Sequence, residues 1–187
     1  DLDVLKKTVN TKLNLEMALS EEIIEIALDV VPDQVTIVPE KREEVTTEGG
    51  LDVKGNLSRL QAAVPRLQAQ GIVVSLFVDP DEDAVRGAKE TGADYIELHT
   101  GAYANAERPA RRETETMLLI RSAELACKIG LGVNAGHGLT YQNVLPMLEL
   151  PGLDELNIGH SIISRAVFDG IRNAVRQMRD LITTHTR

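Results

Sequence analysis

Side chains able to do chemistry gather at one kind of place in this sequence, the carboxyl end of short apolar runs. Glu16 closes "NLEM", Glu40 follows "QVTIVP", Asp79 follows "IVVSLFV", and Glu97 and His99 end "DYIELH". Asn134 and His137 belong to "GVNAGHG", and Gly159-His160 follow "ELNI". Three of the four histidines therefore lie at such ends, and only His185 lies in the polar tail. Carboxylates beside imidazoles are the parts of acid/base catalysis, and a carboxylate among apolar residues has its pKa raised by desolvation toward that of a working base. Glu16, between Leu15 and Met17, and Glu97, between Ile96 and Leu98, both fit that description. A structural carboxylate paired with an arginine is the alternative for each. His99 stands two residues after Glu97 and shares its strand face, where it could serve as ligand, acid or hydrogen-bonded neighbour. His137 lies between Gly136 and Gly138, whose backbone freedom lets an imidazole be presented close to a ligand; a turn histidine open to water is the alternative. Gly159-His160 precede a helical stretch, where backbone N–H groups can hold a phosphate, or where the chain simply makes a tight turn.

The elements that must position these residues alternate. Strand-like runs occur at 12–17, 34–39, 72–78, 94–99, 131–135 and 155–159, with helical stretches near 20–29, 55–70, 80–91, 111–129, 140–149 and 161–183. The last carries an apolar stripe of Ile163, Val167, Ile171, Ala174, Met178 and Ile182, three or four residues apart. Gly71 and Gly130 stand where a helix terminator precedes a strand, and Asp79-Pro80-Asp81-Glu82 reads as a capped helix start. The pattern is that of a parallel α/β fold in which the strand ends form one rim. At about 30 residues per βα unit the chain supplies six units, whereas a closed (β/α)8 TIM barrel uses eight in roughly 250 residues. The expectation is a single domain over residues 1–187, either an open doubly wound sheet or a barrel lacking its first two strands. The glycine-rich turn of a dinucleotide-binding fold and the phosphate-binding P-loop are both absent. Two connections, 39–56 and 100–113, exceed the usual βα loop, and the second carries Arg108, Arg111 and Arg112 as possible phosphate neutralisers.

Composition narrows the function classes. A net charge of −9 without a basic stripe disfavours nucleic acid as a partner. The single cysteine, Cys127, forms no intrachain disulfide and reads as a buried small hydrophobe in a reducing, cytoplasmic compartment. No run approaches the ~18 apolar residues of a membrane helix.

Taken together, "NLEMALSEE", "VPEKREEVTTEGGLDV", "IELHTGAYA", "VNAGHGLTYQNV" and "ELNIGHSIISRAVFDG" resemble the pyridoxine 5′-phosphate synthase family over essentially the whole chain. The resemblance implies a TIM barrel assembled as a homo-octamer. It implies condensation of 1-deoxy-D-xylulose 5-phosphate with 3-amino-2-oxopropyl phosphate to pyridoxine 5′-phosphate, phosphate and water, with no organic cofactor and no metal. Carried onto matching positions, Glu16 is the proton acceptor, His137 the proton donor and Glu97 the transition-state stabiliser. Thr46 contacts the deoxyxylulose phosphate, and Gly138, Gly159 and His160 bind the amino-ketone phosphate. The family also begins with two further βα units bearing an Asn-x-Asp-His segment and a basic histidine with arginines, which this sequence lacks. An open barrel without them is expected to have reduced activity or only to bind phosphate ligands or partner subunits. A metal-dependent phosphosugar isomerase or epimerase, with Glu97, His99 and His137 as ligands, is the competing enzyme reading.

Overall fold

Two kinds of residue alternate along the strands, and the sheet follows from that alternation. The computed structural model describes residues 1–39 and 49–185. Six strands, β1 (Asn14–Ala18), β2 (Gln34–Val38), β3 (Val73–Val78), β4 (Tyr95–His99), β5 (Gly132–Gly136) and β6 (Leu153–Asn157), form one sheet in the order in which they occur. Every neighbouring pair is parallel. A doubly wound sheet reverses strand order at a switch point, and this sheet does not, so the arrangement is an arc of the (β/α)8 barrel.

Side chains on a strand point alternately to opposite faces. Val35, Ile37, Val74, Leu76, Val78, Ile96, Leu98, Val133 and Ala135 fall on one face and are wholly buried. Against it pack the helices. α2 (Glu21–Val30) lies on β1, with α1 (Leu2–Thr8) against α2, while α3 (Leu57–Gln68) and α4 (Glu82–Glu90) lie on β3. The short α5 (Gly101–Ala104) leads into α6 (Pro109–Lys128), which covers β4 and β5. Spacing makes the match: Leu60, Val64 and Leu67 of α3, and Leu119, Ala123 and Ala126 of α6, recur at three or four residues and are buried. The opposite face of the strands carries Gln34, Thr36, Ser75, Glu97, His99 and Asn134, all buried polar residues. That is the face on which the site is built.

Punctuation follows the sequence reading at several points. The Asp81 side chain accepts the Ala84 N–H at 2.9 Å and starts α4, and Ser20 does the same for α2 from Ile23. Gly71 and Gly130 adopt φ of 79° and 75° and end α3 and α6. Other expectations are corrected. The last strand begins at Leu153, two residues earlier than expected, with Asn157 in register with Gly136. The expected helix over 140–149 is a turn followed by a 3-10 helix, Leu145–Glu149. There the Thr140 and Asn143 side chains accept the Gln142 and Thr140 N–H groups and so compete with helical hydrogen bonding. The long connection over 100–113 contains α5 and the first turn of α6, and two of its arginines turn to local partners. Arg111 pairs with Glu115, and Arg112 donates to the Ala106 carbonyl at 2.8 Å. Cys127 is exposed, its Sγ donating to the Pro151 carbonyl, because it lies on the outer side of α6.

The single helix expected over 161–183 is two, α7 (His160–Asp169) and α8 (Ile171–His185). Gly170 between them takes φ 76° and ψ 148°, which interrupts the stripe's phase. Ala174 and Met178 remain buried, while Ile163 and Val167 are 61% and 78% exposed. Among the described residues no helix is long and apolar enough to cross a membrane.

A Cβ added at Gly170 would meet nothing within 4 Å, so only backbone conformation opposes a side chain there. Gly170→Ala is therefore expected to lower unfolding free energy by about 1–3 kcal/mol, the cost of a backbone region reserved for glycine. Urea denaturation of the two proteins measures it, and an unchanged midpoint would show that the break can be closed into one helix.

Candidate functional site

Glu97 is the most strongly perturbed group of the site. Alternation on β4 turns it to the polar face, where it is only 3% exposed. Burial pushes its pKa from the ordinary 4.5 up to about 7. The Asn157 amide Nδ2 donates to Glu97 Oε2 at 2.5 Å and opposes the rise, while the negative charges of Glu16 and Glu155 reinforce it. Burial is the larger effect, so Glu97 exchanges its proton near neutrality.

Room for that carboxyl comes from Gly136. A Cβ at this position would lie 2.2 Å from Glu97 Oε1 and 3.1 Å from Asn157 Cβ, so any side chain would drive into the Glu97–Asn157 pair. Gly136 ends β5 and leads into the left-handed turn of His137, φ 82°, and Gly138, φ 73°. His137 is exposed at the rim. Its ring stands 5.1 Å from the His99 ring, edge to face, and 6.2 Å from Phe77. Phe77 also packs on His99 at 5.0 Å. Phe77 opposes Glu97 in the strand register, so aromatic and carboxyl belong to adjacent inner positions.

His99 is buried and its Nδ1 lies 3.1 Å from Asp79 Oδ1. The hydrogen bond with His99 is the main cause holding the Asp79 carboxyl below its ordinary range, aided by the Gly50 N–H. Of the three roles open to His99, hydrogen-bonded neighbour is the one its geometry displays. Among the described residues, no three His, Cys, Asp or Glu side chains converge as a metal-binding group, and Glu97, His99 and His137 do not form one.

Glu16 lies on β1, exposed, beside Thr36 of β2 in register. Register with Thr36 puts Glu16 on the polar face of the sheet, the face of Glu97, whose pKa its charge helps to raise. Gly159 and His160 are exposed at the start of α7, and among the described residues no side chain caps that helix. The first N–H groups of α7 are thus left open to an anion. Ser161 ties this start to the turn after β5 by donating to the Leu139 carbonyl at 2.8 Å. Gly138, on the same turn, packs against Ala104. Thr46 lies outside the described residues, as does Glu40.

The structure therefore sets Glu97 against Gly136 at the entrance to the His137-Gly138 turn, ties the continuation of that turn at Leu139 to the Gly159-His160 helix start through Ser161, and puts Glu16 on the same polar face of the sheet. Two participants escape a reading of the sequence: Asn157, which partners Glu97, and Thr100, which touches the His137 turn. Asn157 hides because the last strand begins two residues earlier than its apolar run suggests. A buried base near neutrality, a second carboxylate, an exposed imidazole and an uncapped helix start can move protons on a small anionic substrate.

Comparison with known proteins identifies the family. Residues 1–184 match the family described as "Pyridoxal phosphate biosynthesis protein PdxJ". The pyridoxine 5′-phosphate synthase of Synechococcus sp. (strain JA-2-3B'a(2-13)) is 57% identical over 179 residues, covering 96% of this chain and 75% of that protein. The pyridoxine 5′-phosphate synthase of Geobacter sulfurreducens is 54% identical over 182 residues, 97% of this chain and 76% of the relative. Among solved structures, KGPDC from Streptococcus mutans superposes with a TM-score of 0.67 at 14% identity, covering 98% of this chain and 77% of that one. At that identity the likeness concerns the fold alone.

Glu97 makes stability depend on pH. An ordinary glutamate releases its proton near 4.5, and Glu97 in the folded protein near 7. Between those values the native state binds more protons than the unfolded one. The stabilisation is complete below about pH 4.5 and is lost as pH rises through about 7. Relative to Glu97→Gln, which cannot ionise, the wild type is expected to lose on the order of 3 kcal/mol between pH 5 and pH 8. Urea unfolding of both proteins at the two pH values measures it; parallel curves would mean that Glu97 titrates as an exposed carboxyl does.

Proposed function

The chain belongs to the PdxJ family, and from that premise we propose that it is a pyridoxine 5′-phosphate synthase. It condenses 1-deoxy-D-xylulose 5-phosphate with 3-amino-2-oxopropyl phosphate, releasing phosphate and water. The observation that carries this reading is buried Glu97 set against Gly136, which leads straight into the His137 turn, on the polar sheet face that Glu16 shares through its register with Thr36.

Amine addition to a ketone, dehydration, phosphate loss and ring closure each move a proton, so the site needs an acid and a base. Glu16, exposed at the rim, takes protons from the substrate. His137, presented on its glycine-flanked turn, supplies them to the leaving oxygen. Glu97 answers the charge that develops. A cationic iminium forming beside it draws its pKa down from about 7, so the carboxyl becomes an anion as the cation appears. That attraction is stronger in the charged intermediate than in the neutral substrate, which is the condition for catalysis rather than mere binding.

Both substrates are phosphorylated, and the α7 start with Gly159 and His160 offers uncapped N–H groups to one phosphate, with Gly138 lining the approach. Thr46 takes the role of contacting the deoxyxylulose phosphate. In this reading the enzyme is a homo-octamer of the cytoplasm.

The test is direct. Full-length enzyme supplied with both substrates is expected to form pyridoxine 5′-phosphate, detected by chromatography against an authentic standard; no product at saturating substrate overturns the reading. Glu16→Gln and His137→Asn are each expected to lower turnover by at least ~100-fold, the scale of losing a general acid or base. Near-wild-type turnover in either variant removes that residue from its role.

A further inference from the structure

His137 adopts φ 82°, a left-handed backbone that side-chain-bearing residues avoid. Flanking glycines permit such a turn without selecting it, so something else must hold it there. Thr100, the residue after β4, is wholly buried and reaches across to the turn. Its N–H donates to the Gly136 carbonyl at 2.9 Å. Its hydroxyl oxygen lies 2.7 Å from that same carbonyl oxygen and 2.5 Å from the His137 carbonyl oxygen, sharing one proton between them.

Those two carbonyls belong to the two peptide planes on either side of the His137 Cα. The orientation of the first plane sets φ of His137, and that of the second sets ψ. One side chain that grips both therefore fixes the direction in which the imidazole leaves the backbone. The Thr100 carbonyl is engaged as well, accepting the Ala104 N–H at 2.9 Å, and Ala104 is the residue against which Gly138 packs. His99, one residue earlier, sets its ring 5.1 Å from the His137 ring. The end of β4 thus holds both the backbone and the ring of His137.

We infer that Thr100 is a positioning residue for the synthase reaction, acting through its hydroxyl on the His137 turn without touching substrate. The inference rests on the reading of His137 as the proton donor.

Thr100→Val removes the hydroxyl and keeps the shape, and Thr100→Ser keeps the hydroxyl. In full-length enzyme, Thr100→Val is expected to lower kcat about 10- to 100-fold with KM within about threefold, because misplacement by an ångström costs rate more than binding. Thr100→Ser is expected to stay within about threefold of wild type in both. Added to His137→Asn, Thr100→Val is expected to cost less than about twofold more, since a residue acting only through His137 has nothing left to position. Wild-type kcat in Thr100→Val, an equal loss in both backgrounds, or a loss above about tenfold in Thr100→Ser overturns the role of Thr100 and leaves that of His137 standing. Wild-type turnover in His137→Asn overturns the reading on which it rests. If Thr100→Val does not fold, Thr100→Ala takes its place in the cycle, and a loss in Thr100→Ser still decides against the role.

Discussion

A strand residue cannot face both ways, and that constraint organises the molecule. Every strand is parallel to its neighbours, and the buried residues of the helices share one core with the aliphatic alternates of the strands, so those alternates face the helices. The remaining alternates, Gln34, Thr36, Ser75, Glu97, His99 and Asn134, are committed to the other face whatever their chemistry. A polar face inside a fold is costly. Side-chain atoms of Gln34, Ser75 and Asn134 have no hydrogen-bond partner within the described residues, and an unpaired buried amide costs about 1–3 kcal/mol. The aliphatic core offsets this, with Leu60, Leu67, Leu76, Ile96 and Leu98 all wholly excluded from water.

The site uses that cost. Glu97 reaches a pKa of about 7 because it is trapped on the polar face, where the Asn157 amide only partly relieves its burial and the nearby carboxylates add to it. Gly136 is the complement of that arrangement: its lack of a side chain makes the space that the carboxyl occupies. The next residue, His137, sits in a backbone conformation held from outside by the end of β4. Carboxyl and imidazole are thus both in states that their neighbours impose, which is where strained and perturbed groups are expected to serve function.

Much of this was legible in the residues themselves. The six apolar runs recur as six strands, and the last is the one shifted by two residues at both ends, because Ile158 and Gly159 extend its apolar appearance past the point where pairing with β5 stops. The helix start at Asp81 was readable because capping is local. The break at Gly170 was not, since an apolar stripe running through a glycine looks continuous in sequence while the backbone need not be. The exposure of Cys127 was hidden for a similar reason: a residue in an apolar helix declares its neighbours along the chain, not the side it turns to solvent.

The period of each element, the class of fold and the residue types gathered at the strand ends were all written in the order of residues, because they depend on neighbours a few positions away. The family motifs also named Glu16, Glu97 and His137 as one set. How those side chains are tuned was left to packing. The proton affinity of Glu97 comes from burial between β3, β5 and β6, and its partner Asn157 lies sixty residues away. The hold on His137 comes from Thr100, thirty-seven residues away and on another strand's end. Desolvation and long-range hydrogen bonds are properties of packing, and no stretch of sequence carries them until the chain has folded.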